Sequence, residues 1–294
     1  MKENYLRIGP AGITTEEYEK KYLELLELCK KNGFKALEME LLNVRGPKSY
    51  PPTAVISNLK RKASEYDVSI SVHASYYINF ASHNQQIVNM SIVHILESMK
   101  IADILGTRVV VHTGYYQQRS SHESIKTCIK NLKKLVDISA VEKYLRMDRI
   151  YLEIPGKYSV IGNIDELLEI AKEIGCYICV DWAHLYARNP SFITYSKIIW
   201  LIDKIEKNLG NFYWHMHISG MKRNNNGEIK HISFRKSLFP IDTVMIALKD
   251  IGLKGTLICE SPRRFLGDTN DLIKIWTTGK LPFPKIKRLD EFFK

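Results

Sequence analysis

The chain has 294 residues, 45% of them hydrophobic and 26% charged, with a net charge of +11. That length suits one barrel-sized domain or two small ones, and its core needs neither disulfide nor metal merely to fold. No apolar run approaches the ~18–20 residues of a membrane span, and the opening MKENYLRI lacks the basic-then-apolar order of a signal peptide, so a cytoplasmic protein with no membrane partner is expected.

Strand-like runs alternate with amphipathic helical stretches along the whole chain. The first strand is Leu6–Ile8, and Thr14 or Thr15 is placed to cap a helix reaching Lys31, where Gly33 stops it. The second strand is Ala36–Leu41, with Leu37, Met39 and Leu41 alternating against Glu38 and Glu40. A loop of residues 43–52 carries Arg45 and Lys48, and a helix follows to Tyr66. The third strand is Ser69–His73, the fourth Arg108–His112 after a helix Gln85–Leu105, and the fifth Ile150–Ile154. The sixth, Tyr177–Asp181, is followed on a loop by His184. The seventh is Phe212–Ile218 after a helix Tyr195–Lys207, and the eighth Thr256–Glu260 after a helix Ile241–Lys249. A last helix spans Asp271–Thr277. Eight βα units without a linker predict a single-domain α/β (β/α)8 TIM barrel over residues 1–280, with a basic tail over 281–294. A doubly wound sheet is disfavoured because the Gly-rich dinucleotide fingerprint is absent after the first strand.

The five cysteines are scattered and odd in number, which excludes a disulfide framework. Cys176 and Cys179 form a lone C-x-x-C whose side chains fall on opposite faces of the strand, so core packing is expected of them. The basic charge favours a polyanionic partner, although a Lys- and Ile-rich proteome produces basic proteins of many kinds.

Six consecutive strands end in His73, His112, Glu153, Asp181, His217 and Glu260. In a (β/α)8 barrel the C-terminal strand ends meet at the catalytic face. Any one of these residues alone would be read as an ordinary polar strand end. Three carboxylates crowded together without a cation would cost several kcal/mol in repulsion and desolvation. With His184 and His231 added, the mixed nitrogen and carboxylate donors suit Zn²⁺, with Mn²⁺ or Fe²⁺ less specific matches, and they exceed one tetrahedral site. At least two metals sharing a carboxylate are therefore inferred. His83 and His122 fall in surface loops, His94 on a helix, and His215 one pleat deeper than His217.

These residues resemble the endonuclease IV family of apurinic/apyrimidinic endonucleases from the second strand to the eighth. The family's H-A-P-Y-x-I-N looks like His73-Ala74-Ser75-Tyr76-Tyr77-Ile78-Asn79, its H-P-G like His112-Thr113-Gly114, and its L-E like Leu152-Glu153. Its D-x-x-H matches Asp181-Trp182-Ala183-His184, its H-x-N-D looks like His217-Ile218-Ser219-Gly220, and its E-[ST]-P matches Glu260-Ser261-Pro262. Its D-x-H resembles Ile229-Lys230-His231, with Ile229 in place of the acid and Glu228 beside it.

The resemblance implies two or three zinc ions: one on His73, His112 and Glu153, a second on Glu153, Asp181, His217 and Glu260, and a third on His184 and His231. It further implies cleavage of double-stranded DNA 5′ to abasic sites, with Glu153 and Glu260 as the catalytic carboxylates. Tyr76 and Tyr77 would lie where members insert side chains into the base stack. Arg45, Lys48, Arg119, Lys157, Arg188, Lys222 and Arg223 lie on βα loops within reach of phosphates. A monomer is expected. The competing reading is a sugar isomerase or epimerase, because Glu153, Asp181, His217 and Glu260 also resemble the single-metal site of xylose-isomerase-like relatives. A third is a barrel that binds DNA without cleaving it.

Overall fold

The computed structural model describes residues 6–284 except 14, 16, 263 and 264. The chain divides into two compact units, one of residues 11–155 and 159–179 (the N-terminal unit), the other of residues 1–10, 156–158 and 180–294 (the C-terminal unit).

In the N-terminal unit, strands β2 (Ala36–Glu40), β3 (Ser69–His73), β4 (Val109–Val111) and β5 (Ile150–Glu153) pair in parallel. The start of β6 (Tyr177–Asp181) pairs with β5 through Tyr177–Cys179. Between the strands run α1 (Tyr18–Asn32), α2 (Thr53–Tyr66), α3 (Gln85–Leu105), α4 (Ser121–Ser139) and α5 (Ile164–Ile174). Ala11 bridges Glu38 of β2 in parallel.

In the C-terminal unit, the last two residues of β6 pair with β7 (Trp214–Ile218). Strand β7 pairs with β10 (Gly255–Cys259), and β10 with β1 (Leu6–Pro10). Four helices, α6 (Trp182–Arg188), α7 (Tyr195–Leu209), α8 (Ile241–Asp250) and α9 (Phe265–Thr278), belong to this unit, as does an antiparallel hairpin of β8 (Gly220–Asn224) and β9 (Gly227–Ile232). The eight parallel strands follow the order β1-β10-β7-β6-β5-β4-β3-β2. That is the (β/α)8 class expected from the alternation.

Local chemistry sets the boundaries. The Asn84 side chain accepts the Gln86 N–H at 2.9 Å and opens α3, which Gly106 closes in the left-handed conformation. Ser120 with Glu123, and Asn163 with Glu166, form capping boxes at α4 and α5. The strands are buried on both sides, as parallel strands between helices must be.

Several expectations are corrected. Thr15 does not cap α1, which starts at Tyr18 with no side-chain cap; its hydroxyl instead accepts the Glu17 N–H, and Thr14 lies outside the described residues. Helix α9 begins well before Asp271, at Phe265. Its buried Asp268 accepts from the Ser233 hydroxyl and the Phe234 N–H, both at 2.9 Å, so a polar first turn is anchored where apolar periodicity gave no sign. Strand β7 starts at Trp214, and the stretch after it folds as the hairpin β8–β9 rather than a loop. His122 sits on α4, not in a loop. Glu38, which alternates with Leu37 and Met39, is buried as they are, opposite Ser71, whose hydroxyl donates to it at 2.7 Å. Tail residues 285–294 lie outside the described residues.

Candidate metal centres

The N-terminal unit brings three of the expected residues together. His73 closes β3 and Glu153 closes β5, both buried, while His112 follows β4. The Nε2 of His73 lies 3.0 Å, and the Nε2 of His112 3.2 Å, from the same oxygen, Glu153 Oε2. The Nδ1 of His73 lies 2.9 Å from the Ala74 carbonyl, which only accepts, so the neutral ring carries its proton there. A bare Nε2 then faces a carboxylate oxygen. The arrangement needs positive charge between them, from a proton or a cation. Donor atoms held at about 2.1 Å by a tetrahedral ion are about 3.4 Å apart, so these separations fit a metal with small adjustment.

Above this cluster the Tyr76 ring stacks on His112 with centroids 5.6 Å apart, and Tyr76 is 51% exposed. The loops are pinned to each other: the Tyr76 N–H donates to the Leu42 carbonyl at 3.0 Å, and the Ser75 hydroxyl to the Val44 carbonyl at 2.9 Å. Arg45 Nε donates to the Tyr77 hydroxyl at 2.9 Å. Tyr76, Tyr77 and Arg45, three of the residues expected to contact nucleic acid, thus stand in one exposed group.

The C-terminal unit gathers the remainder. Asp181 ends β6 and caps α6, its Oδ1 accepting the His184 N–H at 2.7 Å. His184 therefore stands in the first turn of a helix rather than on a loop. Asp181 is the register partner of His217 on β7, and His217 Nδ1 lies 3.2 Å from Glu260 Oε1. Glu260 sits one residue past β10, fixed by its N–H donating to the Ile218 carbonyl at 3.0 Å.

On the hairpin side, the Nε2 atoms of His184 and His231 meet at 3.1 Å. The Nδ1 of His231 faces the Glu260 carbonyl and that of His184 faces Asp181 Oδ2, each at 3.3 Å. Both facing atoms are acceptors, so each ring's proton belongs on Nδ1 and two Nε2 lone pairs confront each other. Burial, and then the neighbouring His184, push the His231 pKa below its usual 6.5. A neutral imidazole is the form that binds a metal. Asp181 Oδ2 is fully buried and faces the Nδ1 side of the His184 ring. Asp181, His184 and His231 present donor atoms all within 4.8 Å of one another. Sequence reading divided Asp181 and His184 between two metals; the structure puts the carboxylate directly against the ring.

Three loop cations have internal work. Arg119 donates to the Ala81 carbonyl, Arg188 to the Lys157 carbonyl at 3.2 Å, and Arg223 to the Ala187 carbonyl at 2.8 Å. Lys48, Lys157 and Lys222 are exposed. All five cysteines are buried and free, as expected.

Glu38 and Glu40 were not among the expected site residues, whereas Glu228, beside Ile229, was already a possible replacement for the missing acid. Glu40 shares the face of β2 whose register partner is His73, with Glu38 one pleat below. Glu228 stands beside His184 and His231. The alternation of Glu38 and Glu40 with Leu37, Met39 and Leu41 did not mark them as site residues, and the hairpin that carries Glu228 was not foreseen. Gly220 explains one departure from the motif: a Cβ there would lie 2.5 Å from the Ile232 carbonyl oxygen, so no aspartate fits.

A family model described as xylose isomerase-like TIM barrel matches residues 26–276. An uncharacterized protein of Methanocaldococcus jannaschii is 31% identical over 267 residues, covering 89% of this chain and 93% of that one. A probable endonuclease 4 of Aquifex aeolicus is 24% identical over 155 residues, covering 51% of this chain and 54% of that one. The crystal structure of a D-tagatose 3-epimerase-like protein superposes with a TM-score of 0.69 at 22% identity, over 92% of this chain and 97% of that one. The neighbours thus include both an endonuclease and an epimerase-like protein. Among the described residues no helix is long and apolar enough to cross a membrane.

Proposed function

This chain belongs to the xylose isomerase-like TIM barrel family, and from that premise we propose that it is a zinc-dependent hydrolase of DNA phosphodiester bonds acting 5′ to abasic sites. The observation that carries the reading is the pairing of histidines around two separate points: His73 and His112 on one oxygen of Glu153, and His184 against His231. A single-metal sugar enzyme has use for Glu153, Asp181, His217 and Glu260, but none for four further imidazoles with their Nε2 atoms turned inward.

His73, His112 and Glu153 would hold one ion, Asp181, His217 and Glu260 another, and His184 with His231 a third. Bound zinc supplies charge for an attacking water and a leaving 3′-oxygen. The chain's own groups do the rest. Glu153 and Glu260 would each orient water at the ion it holds, and the Asp181 carboxylate holds the His184 ring by its Nδ1 side. Exposed Tyr76, stacked on His112, and Tyr77, braced by Arg45, offer a wedge beside a missing base. Lys48, Lys157 and Lys222 meet phosphates. The protein is read as a cytoplasmic monomer.

One observation favours the sugar isomerase or epimerase instead. The positions of the family's Asn-Asp pair hold a buried Ser219 and a Gly220 with no room for a side chain. A duplex with one abasic site, offered alongside ketohexoses, separates the readings. Nicking that leaves a 3′-hydroxyl supports the nuclease; epimerised sugar with intact duplex refutes it.

A further inference from the structure

The metal-centre reading, on which this inference rests, assigns Asp181 to another ion and leaves the ion of His184 and His231 lacking a third ligand, because Ile229 stands at the acidic position of the motif. We propose that Glu228 is the missing ligand, delivered by a β-bulge at Ile229, and that the ion it completes clips the β8–β9 hairpin to α6.

The register carries the argument. Met221 pairs with His231 and Lys222 with Lys230, but Arg223 pairs with Glu228, so Ile229 is passed over. In a regular strand, residues three apart point to opposite faces. One extra residue in the bulge restores the alternation, and Glu228 returns to the face of His231. Ile229 is turned out, 44% exposed, while the Glu228 side chain is 18% exposed. Glu228 Oε2 lies 3.5 Å from His184 Nε2, and its Oε1 lies 3.7 Å from His231 Nε2. With the two Nε2 atoms 3.1 Å apart, the three donors bracket the ~3.4 Å edge of a tetrahedral zinc site.

The backbone is cut to fit this carboxylate. The Glu228 N–H donates to the Gly156 carbonyl at 3.0 Å. A Cβ on Gly156 would come within 2.6 Å of Glu228 Cβ and 2.8 Å of His184 Cδ2. Behind the site, buried Asp181 Oδ2 faces the outer nitrogen of His184, the arrangement by which a carboxylate fixes a ligating imidazole. Two ligands belong to the hairpin and one to α6, so an ion joins the two elements and protects them only when bound.

The test counts zinc per chain after gel filtration and follows hydrogen exchange across residues 220–232, with and without zinc. Thermal melting checks that each variant is folded. Glu228→Gln is expected to hold one ion fewer than wild type and to lose the zinc-dependent protection of the hairpin. Adding Ile229→Asp to it is expected to restore neither, because that side chain points outward. Gly156→Ala, which touches no ion, should weaken the same site more than tenfold. Wild-type zinc content and hairpin protection in Glu228→Gln would overturn the inference, as would rescue by Ile229→Asp. Wild-type protein that binds no zinc at all would overturn the metal-centre reading itself.

Discussion

The cluster of the N-terminal unit and the histidine pair beside the hairpin reach similar donor spacings by different routes. His73 and Glu153 are the last residues of regular parallel strands, and His112 follows one directly. Strand geometry alone aims them, and their spacing of 3.0–3.2 Å is set by neighbours in the sheet. His184 and His231 come instead from the first turn of a helix and from a bulged hairpin. Their positions depend on a cap, a bulge and a glycine. The strand-borne cluster should therefore tolerate change around it, and the hairpin cluster should not.

The largest expected effect tests the strand-borne cluster. Glu153→Gln should reduce nicking by at least about 10²–10³-fold, the cost of removing one charged group at a reacting centre, while the circular dichroism spectrum stays native. Retained cleavage would remove Glu153 from the mechanism. Next comes Asp181→Ala, which should lose zinc and also ~1 kcal/mol of stability from the lost α6 cap, measured by urea unfolding of the chelated protein. An unchanged midpoint would show that the cap does not position His184. Tyr76→Ala should weaken binding to an abasic duplex by ~1–3 kcal/mol if the ring stacks on a base, with little change on intact duplex. Equal loss on both duplexes would reduce Tyr76 to packing over His112.

The smallest effect is on pH dependence. The folded pKa of His231 lies below its unfolded value near 6.5, so the unfolded chain takes up a proton that the folded chain does not. Zinc-free protein should then lose stability as pH falls below about 6.5, by no more than ~1.4 kcal/mol per pH unit, and His231→Gln should flatten the slope. A slope of the opposite sign would contradict the half-buried, neutral ring.

How far each region could be read in advance follows the same division. Ser69–His73 and Gln85–Leu105 match their expected bounds because strand-type runs, an Asn cap and a closing Gly mark them locally. The strand-end placement of His73, His112, Glu153, Asp181 and Glu260 was legible because each ends, or directly follows, an apolar run, whereas His217 lies one residue inside β7. The hairpin was not: its strands, GMKRN and GEIKHI, carry polar side chains and short lengths, and a bulge leaves no mark in a pattern of period two. Glu38 went unremarked for a related reason. A parallel strand buried on both sides hides its polar residues inside, and the Ser71 hydroxyl opposite Glu38 donates to that buried carboxylate.

The most direct test of the account adds zinc back to chelated protein in measured equivalents while following nicking of a duplex with one abasic site. Cleavage that appears only beyond one equivalent per chain, and is complete by two or three, is the predicted result. Full cleavage at one equivalent or with none, or no cleavage at any loading, would contradict it.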